Sequence, residues 1–96
     1  MTIKLAFYLI ADVSSDAPSQ LRTVLETFVQ GSVVALDDGY HVEGTVMGES
    51  ARELNRELLT ALRKVERRTR LRSTWTVAGV TERYFDYVPK GSRPAQ

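Results

Sequence analysis

Apolar and polar residues alternate strictly at the start of the chain. Ile3, Leu5, Phe7, Leu9, Ala11 and Val13 hold the odd positions, and Lys4, Ala6, Tyr8, Ile10 and Asp12 the even ones. A period of two predicts a strand with its odd face toward the core. Ser14, Ser15 and Asp16 then offer capping oxygens, and Pro18 suits a first helical turn because its missing N–H has no intrahelical partner there. Leu21, Val24, Leu25, Phe28 and Val29 recur at spacings of three and four, which predicts a helix, and Gly31 is expected as its left-handed terminator. Ser32 to Asp37 and Tyr40 to Gly48 read as two strands flanking Asp38-Gly39, a dipeptide favoured in type I′ hairpin turns. In the second arm Tyr40, Val42 and Val46 alternate with His41, Glu43, Thr45 and Met47. Gly44 and Gly48 fall on its apolar side, where they are expected to admit a helix.

Ser50-Ala51-Arg52-Glu53 has the form of a capping box, in which hydroxyl and carboxylate each satisfy a free backbone N–H. The helix it opens carries a stripe of Ala51, Leu54, Leu58, Ala61, Leu62 and Val65 and is expected to run to about Arg68. Two strands follow, Leu71 to Ala78 and Val80 to Val88, rich in Thr, Val and aromatic residues. They meet at Ala78-Gly79. Because Ala is a poor type I′ residue, a turn with a glycine bulge is expected there. Trp75 and Tyr84 are assigned to the core.

The order β-α-β-β-α-β with one further arm predicts an α+β fold, a ferredoxin-like βαββαβ sandwich with an additional C-terminal hairpin strand. Its antiparallel sheet would carry both helices on one face. The resemblance is one of topology and covers residues 3 to about 88. One domain, residues 1–89, is expected, followed by a loose tail at 90–96 that has nothing to bury. The expected core unites Leu5, Phe7, Leu9, Leu25, Phe28, Leu54, Leu58 and Leu62.

Composition adds exclusions. The 96 residues are 43% hydrophobic and 26% charged, ordinary for a globular chain, and hold no Cys, so thiol chemistry and disulfides are absent. The longest strongly apolar run, Leu5 to Ala11, is too short to span a bilayer and lacks the basic approach of a signal peptide, so a cytoplasmic protein without membrane contact is expected. Charge is distributed unevenly. Residues 1–51 carry seven acidic against two basic side chains, and residues 52–72 carry eight basic against three acidic. Such polarity suits an anionic partner or self-complementary packing.

Function must then come from surfaces. With the odd face of the first strand committed to the helices, the opposite sheet face presents Tyr8, Ile10 and Met47 among Asp12, His41 and Glu43, and no remaining segment covers it. Apolar patches of this kind usually mark an interface, so a homodimer is expected, with a small-molecule ligand or a protein partner held at the same face. His41, Glu43 and Asp12 can share that face and orient an imidazole for proton transfer, but a lone His beside a turn is much more often a solvated surface residue, and no catalytic residue is assigned. Neither a metal site nor a cofactor is expected, since one imidazole and scattered carboxylates have no ligand spacing and no phosphate loop opens a helix. Arg52, Arg56, Arg63 and Arg67 fall within about 60° of arc on the second helix, with Leu59 among them. They form a possible anion-binding row, so nucleic acid is the alternative to a solvated arginine face.

Overall fold

Alternation along the first strand does what its period demands. In the computed structural model, which describes residues 4–86, β1 spans Leu5–Ser14 with Phe7, Leu9, Ala11 and Val13 buried and the even positions from Ala6 to Asp12 exposed. A single 3-10 turn at Pro18–Gln20 leads into α1 (Leu21–Phe28), then come β2 (Gln30–Ala35), β3 (Gly39–Gly48), α2 (Ala51–Val65), β4 (Arg70–Val77) and β5 (Val80–Asp86). The five strands form one antiparallel sheet in the order β2-β3-β1-β4-β5. The architecture is therefore α+β, with five strands and two α-helices among the described residues.

One core joins the layers. Leu21 and Leu25 of α1 and Leu54, Leu58 and Leu62 of α2 cluster with the odd positions of β1, with Val42 and Val46 of β3, and with Leu71 and Trp75 of β4. Ser50 caps α2 as expected, its Oγ accepting from Glu53 N–H at 3.2 Å. Gly48 gives α2 its close approach, because a Cβ there would lie 2.4 Å from the Leu54 side chain.

Several expectations are corrected. Leu5 is 43% exposed at the end of β1 rather than in the core, and Phe28 packs against the core only partly buried. The capping oxygens ahead of α1 do not cap it; Ser15 Oγ instead accepts from Ala17 N–H at 2.9 Å. Gly31 lies inside β2, paired with Gly44, and does not end α1, which closes through extended Val29. Gly44 accordingly admits a neighbouring strand and not a helix, since a Cβ on it would meet the Gln30 carbonyl oxygen at 2.4 Å. The last turn of α2 ends at Val65, which is exposed, while Leu59 packs against the core.

Neither hairpin takes its expected turn. Ala78 and Gly79 both take positive φ, 51° and 80°, between the paired residues Val77 and Val80. The mirror-image turn thus sits at the dipeptide expected to bulge. Neither Asp38 nor Gly39 has positive φ. Their hairpin closes through Leu36 N–H donating to the Gly39 carbonyl at 2.8 Å, and Gly39 already belongs to β3. What requires glycine there is crowding by β1, because a Cβ would lie 1.7 Å from the Val13 carbonyl oxygen. Ile3, Tyr87, Val88 and the tail at 90–96 lie outside the described residues.

Candidate functional site

Strand register assigns every even residue of β1 to the face opposite the helices, and its cross-strand partners with it. One row across the sheet reads Val34, His41, Asp12, Arg72 and Phe85, and the next reads Ser32, Glu43, Ile10, Thr74 and Arg83. A third row brings Thr45, Tyr8 and Thr76 together, and Met47 pairs with Ala6 beyond it. No described element covers this face. Tyr8, Ile10, Val34, Met47 and Phe85, all exposed by between 40% and 58%, stand on it together.

At its acidic side the face carries a hydrogen-bonded cluster. His41 Nδ1 lies 2.7 Å from Asp12 Oδ1 and Nε2 lies 2.8 Å from Glu43 Oε2, while Tyr8 O–H donates to Glu43 Oε1 at 3.0 Å. The cause is local geometry: Asp12 is the direct cross-strand neighbour of His41, and Glu43, two residues along β3, shares its face. Hydrogen bonds donated to Asp12 and then to Glu43 hold the imidazole above its ordinary pKa, against a weaker opposing effect of burial. The same bond from His41, with that from Tyr8, holds Glu43 below the usual carboxylate range, and Glu43 in turn pushes the Tyr8 phenol up. The two carboxylates bracket the ring from opposite edges and do not converge on a common point. Among the described residues no group of three His, Asp or Glu side chains is placed to hold a metal ion.

Three of the four arginines keep the predicted arc, Arg52, Arg56 and Arg63 lying on α2 within about 40° of one another. Arg52 and Arg56 are exposed on the helix, whereas Arg63 Nε–H donates to the Thr69 carbonyl at 3.1 Å and tethers the chain entering β4. Arg67 lies beyond the helix end and does not continue its face. The helical arc drawn from the sequence assumed a helix reaching Arg68, and it ends too early for that.

A different basic set joins the open face. Arg70 Nε–H donates to Ser14 Oγ at 3.1 Å, Arg72 stands over the Phe85 ring at 5.6 Å, and Arg83 follows on β5. Sequence reasoning missed these as face residues, although Arg70 and Arg72 alternate with Leu71, Ser73 and Trp75 in a readable strand pattern. It also missed Asn55, buried on α2, whose Oδ1 accepts from Ser73 Oγ–H and from Trp75 Nε1–H. The signal was present: Asn55 follows Ala51 by four and precedes Leu58 by three, squarely on the buried stripe. Compared with known proteins, the chain matches no family model, no curated protein and no solved structure.

Proposed function

We propose that this chain is a cytoplasmic, ferredoxin-like binding and assembly domain that works as a homodimer through its open sheet face, without catalysis of its own. The ferredoxin-like reading is supported by the order β2-β3-β1-β4, the sequence of a split pair of βαβ units, with β5 added at the β4 edge. No described helix is long and apolar enough to cross a membrane.

The observation that carries the dimer is the pairing of apolar exposure with divided charge on one uncovered face. Asp12 and Glu43 lie toward β1 and β3, while Arg70, Arg72 and Arg83 lie toward β4 and β5. A two-fold axis running along β1 places the β4–β5 side of each copy over the β3–β2 side of the other. An axis across the strands would stack arginine on arginine. Under the first operation Phe85 meets Val34, Arg72 comes over the row of His41, and Ile10 packs on its own copy at the centre, while Asp12, also on β1, meets its own copy with Arg72 of each protomer one strand to either side. Five strands about 4.8 Å apart and eight residues rising about 3.3 Å each make a face of roughly 600 Å² in projection. Once side-chain relief is counted, that approaches the roughly 800 Å² of accessible surface per partner in a standard interface.

Light scattering over a concentration series tests the reading directly. The parent should be a dimer and Ile10→Glu a folded monomer, because an unpaired carboxylate at the centre of the interface costs far more buried than exposed. A parent that stays monomeric at every concentration overturns the dimer and leaves the face to a different partner.

A further inference from the structure

One titratable group on the open face has its charge set by geometry. Both ring nitrogens of His41 contact carboxylate oxygens, at 2.7 Å and 2.8 Å. An ionised carboxylate only accepts, so both contacts are hydrogen bonds only when both nitrogens carry hydrogen. We propose that association through the open face is linked to protonation of His41, the imidazolium form carrying the dimer and loss of its proton loosening it. The proposal rests on the homodimer reading and names the regulation of that same face.

Deprotonation changes the cluster in two ways that act in one direction. One ring nitrogen turns a lone pair toward a carboxylate oxygen less than 3 Å away, so that carboxylate loses its donor. The net charge of Asp12, His41 and Glu43 together also passes from −1 to −2 per copy. A carboxylate stripped of its partner is costly to enclose between two sheets, the more so because the axis along β1 sets Asp12 against its own copy, and in the proposal this outweighs the repulsion of the imidazolium by the second copy's Arg72 over the row of His41. Glu43 also accepts from Tyr8, so its displacement disturbs the neighbouring row as well.

The surroundings add no second switch in the neutral range. From β1, Asp12 and Tyr8 face the cluster; from β3, Glu43; from β2, Val34 is the cross-strand partner of His41 and carries no charge. Beyond Asp12 stand Arg70 and Arg72 of β4, and Asp38 of the hairpin lines the same shallow depression as these three. Guanidinium groups keep their charge throughout, and carboxylates and phenols ordinarily titrate well outside neutrality. Because its two partners hold the proton on His41, the transition lies above the ordinary imidazole value of about 6.5. Within each protomer the same linkage makes the stabilisation complete below about pH 6.5 and lost as pH rises through the raised His41 value. Glu43, with its value depressed, adds stability that is lost as pH falls through that value at the acidic end.

Sedimentation equilibrium at fixed ionic strength, from about pH 5.5 to about pH 8.5, decides the matter. The dissociation constant of the parent should rise at least about tenfold across that range, since about half a pKa unit of difference between free and associated His41, present twice in the dimer, is equivalent to a factor of ten. His41→Gln, neutral throughout, should associate about as weakly as the parent does at the upper end of that range, with no such dependence. A parent dimer indifferent to pH, or a His41→Gln dimer that retains the dependence, overturns the linkage and leaves the dimer standing. A parent monomeric at all pH values overturns the dimer reading, and the linkage with it. Imidazole titration by NMR in the parent, diluted until it is monomeric, supplies a check inside one protomer. His41 should titrate above the ordinary value there and return toward it when Asp12→Asn and Glu43→Gln are added, whereas an unshifted imidazole removes the cluster on which the proposal stands.

Discussion

A single buried amide ties α2 to the sheet. Asn55 Oδ1 accepts from Trp75 Nε1–H at 3.2 Å and from the Ser73 hydroxyl, and the indole N–H also reaches Ser73 Oγ at 3.1 Å. With all three residues buried, water does not replace a lost partner. Asn55→Ala should therefore cost about 2–3 kcal/mol, since it leaves the Ser73 donor short of an acceptor and opens a small void beside Trp75. Urea denaturation measures this. Melts that overlay the parent would mean that the amide carries none of the stability. His41 and its partners show the other side of residue-scale legibility. Parity along two strands was enough to put Asp12, His41 and Glu43 on one face, but their hydrogen bonds needed the β1–β3 register, which no residue states by itself. Arg70 and Arg72 were hidden for the same reason, because membership of the face depends on how β4 is paired with β1.

Elements whose signal repeats along their length were readable, and those set by a single local feature were not. The β1 alternation and the α2 stripe persist over several turns or residue pairs, so one error does not move them. The hairpin dipeptide Asp38-Gly39 carried a strong local preference that tertiary packing overrode: β1 presses its Val13 carbonyl against Gly39, and the loop opens to four residues. At the other hairpin the pairing of Val77 with Val80 leaves only two residues for the turn, so Ala78 is forced to φ 51° despite its Cβ. That conformation costs an L-residue on the order of 1 kcal/mol. Ala78→Asn should recover about 0.5–1 kcal/mol, Asn-Gly being the preferred pair for such a turn. A rise of a few degrees in Tm is the expected reading; a fall would mean that the two residues do not hold this turn in solution.

At the scale of the whole molecule, the asymmetric charge along the chain acquires a spatial meaning that composition could not supply. The acidic first half contributes β1 and β3, and the basic segment continues into β4, so the fold lays the two signs side by side on one surface. A surface split in this way is self-complementary under a two-fold axis parallel to the dividing strand, here β1, and under no axis across the strands. The axis can be tested apart from the existence of the dimer, because the chain holds no Cys and any introduced thiol is the sole one. Ile10→Cys puts that thiol on β1 at the proposed axis, where facing sheets about 10 Å apart bring the two copies within reach of a short bismaleimide. Val80→Cys puts it at the tip of the last hairpin, exposed and far from the axis. Treated at a concentration where the parent is dimeric, Ile10→Cys should convert largely to a covalent dimer on a denaturing gel and Val80→Cys should not. Equal yields from both would place random collisions above geometry, and efficient linkage of Val80→Cys alone would move the axis to the β5 edge and dissolve the charge argument, since two copies joined there set arginine beside arginine.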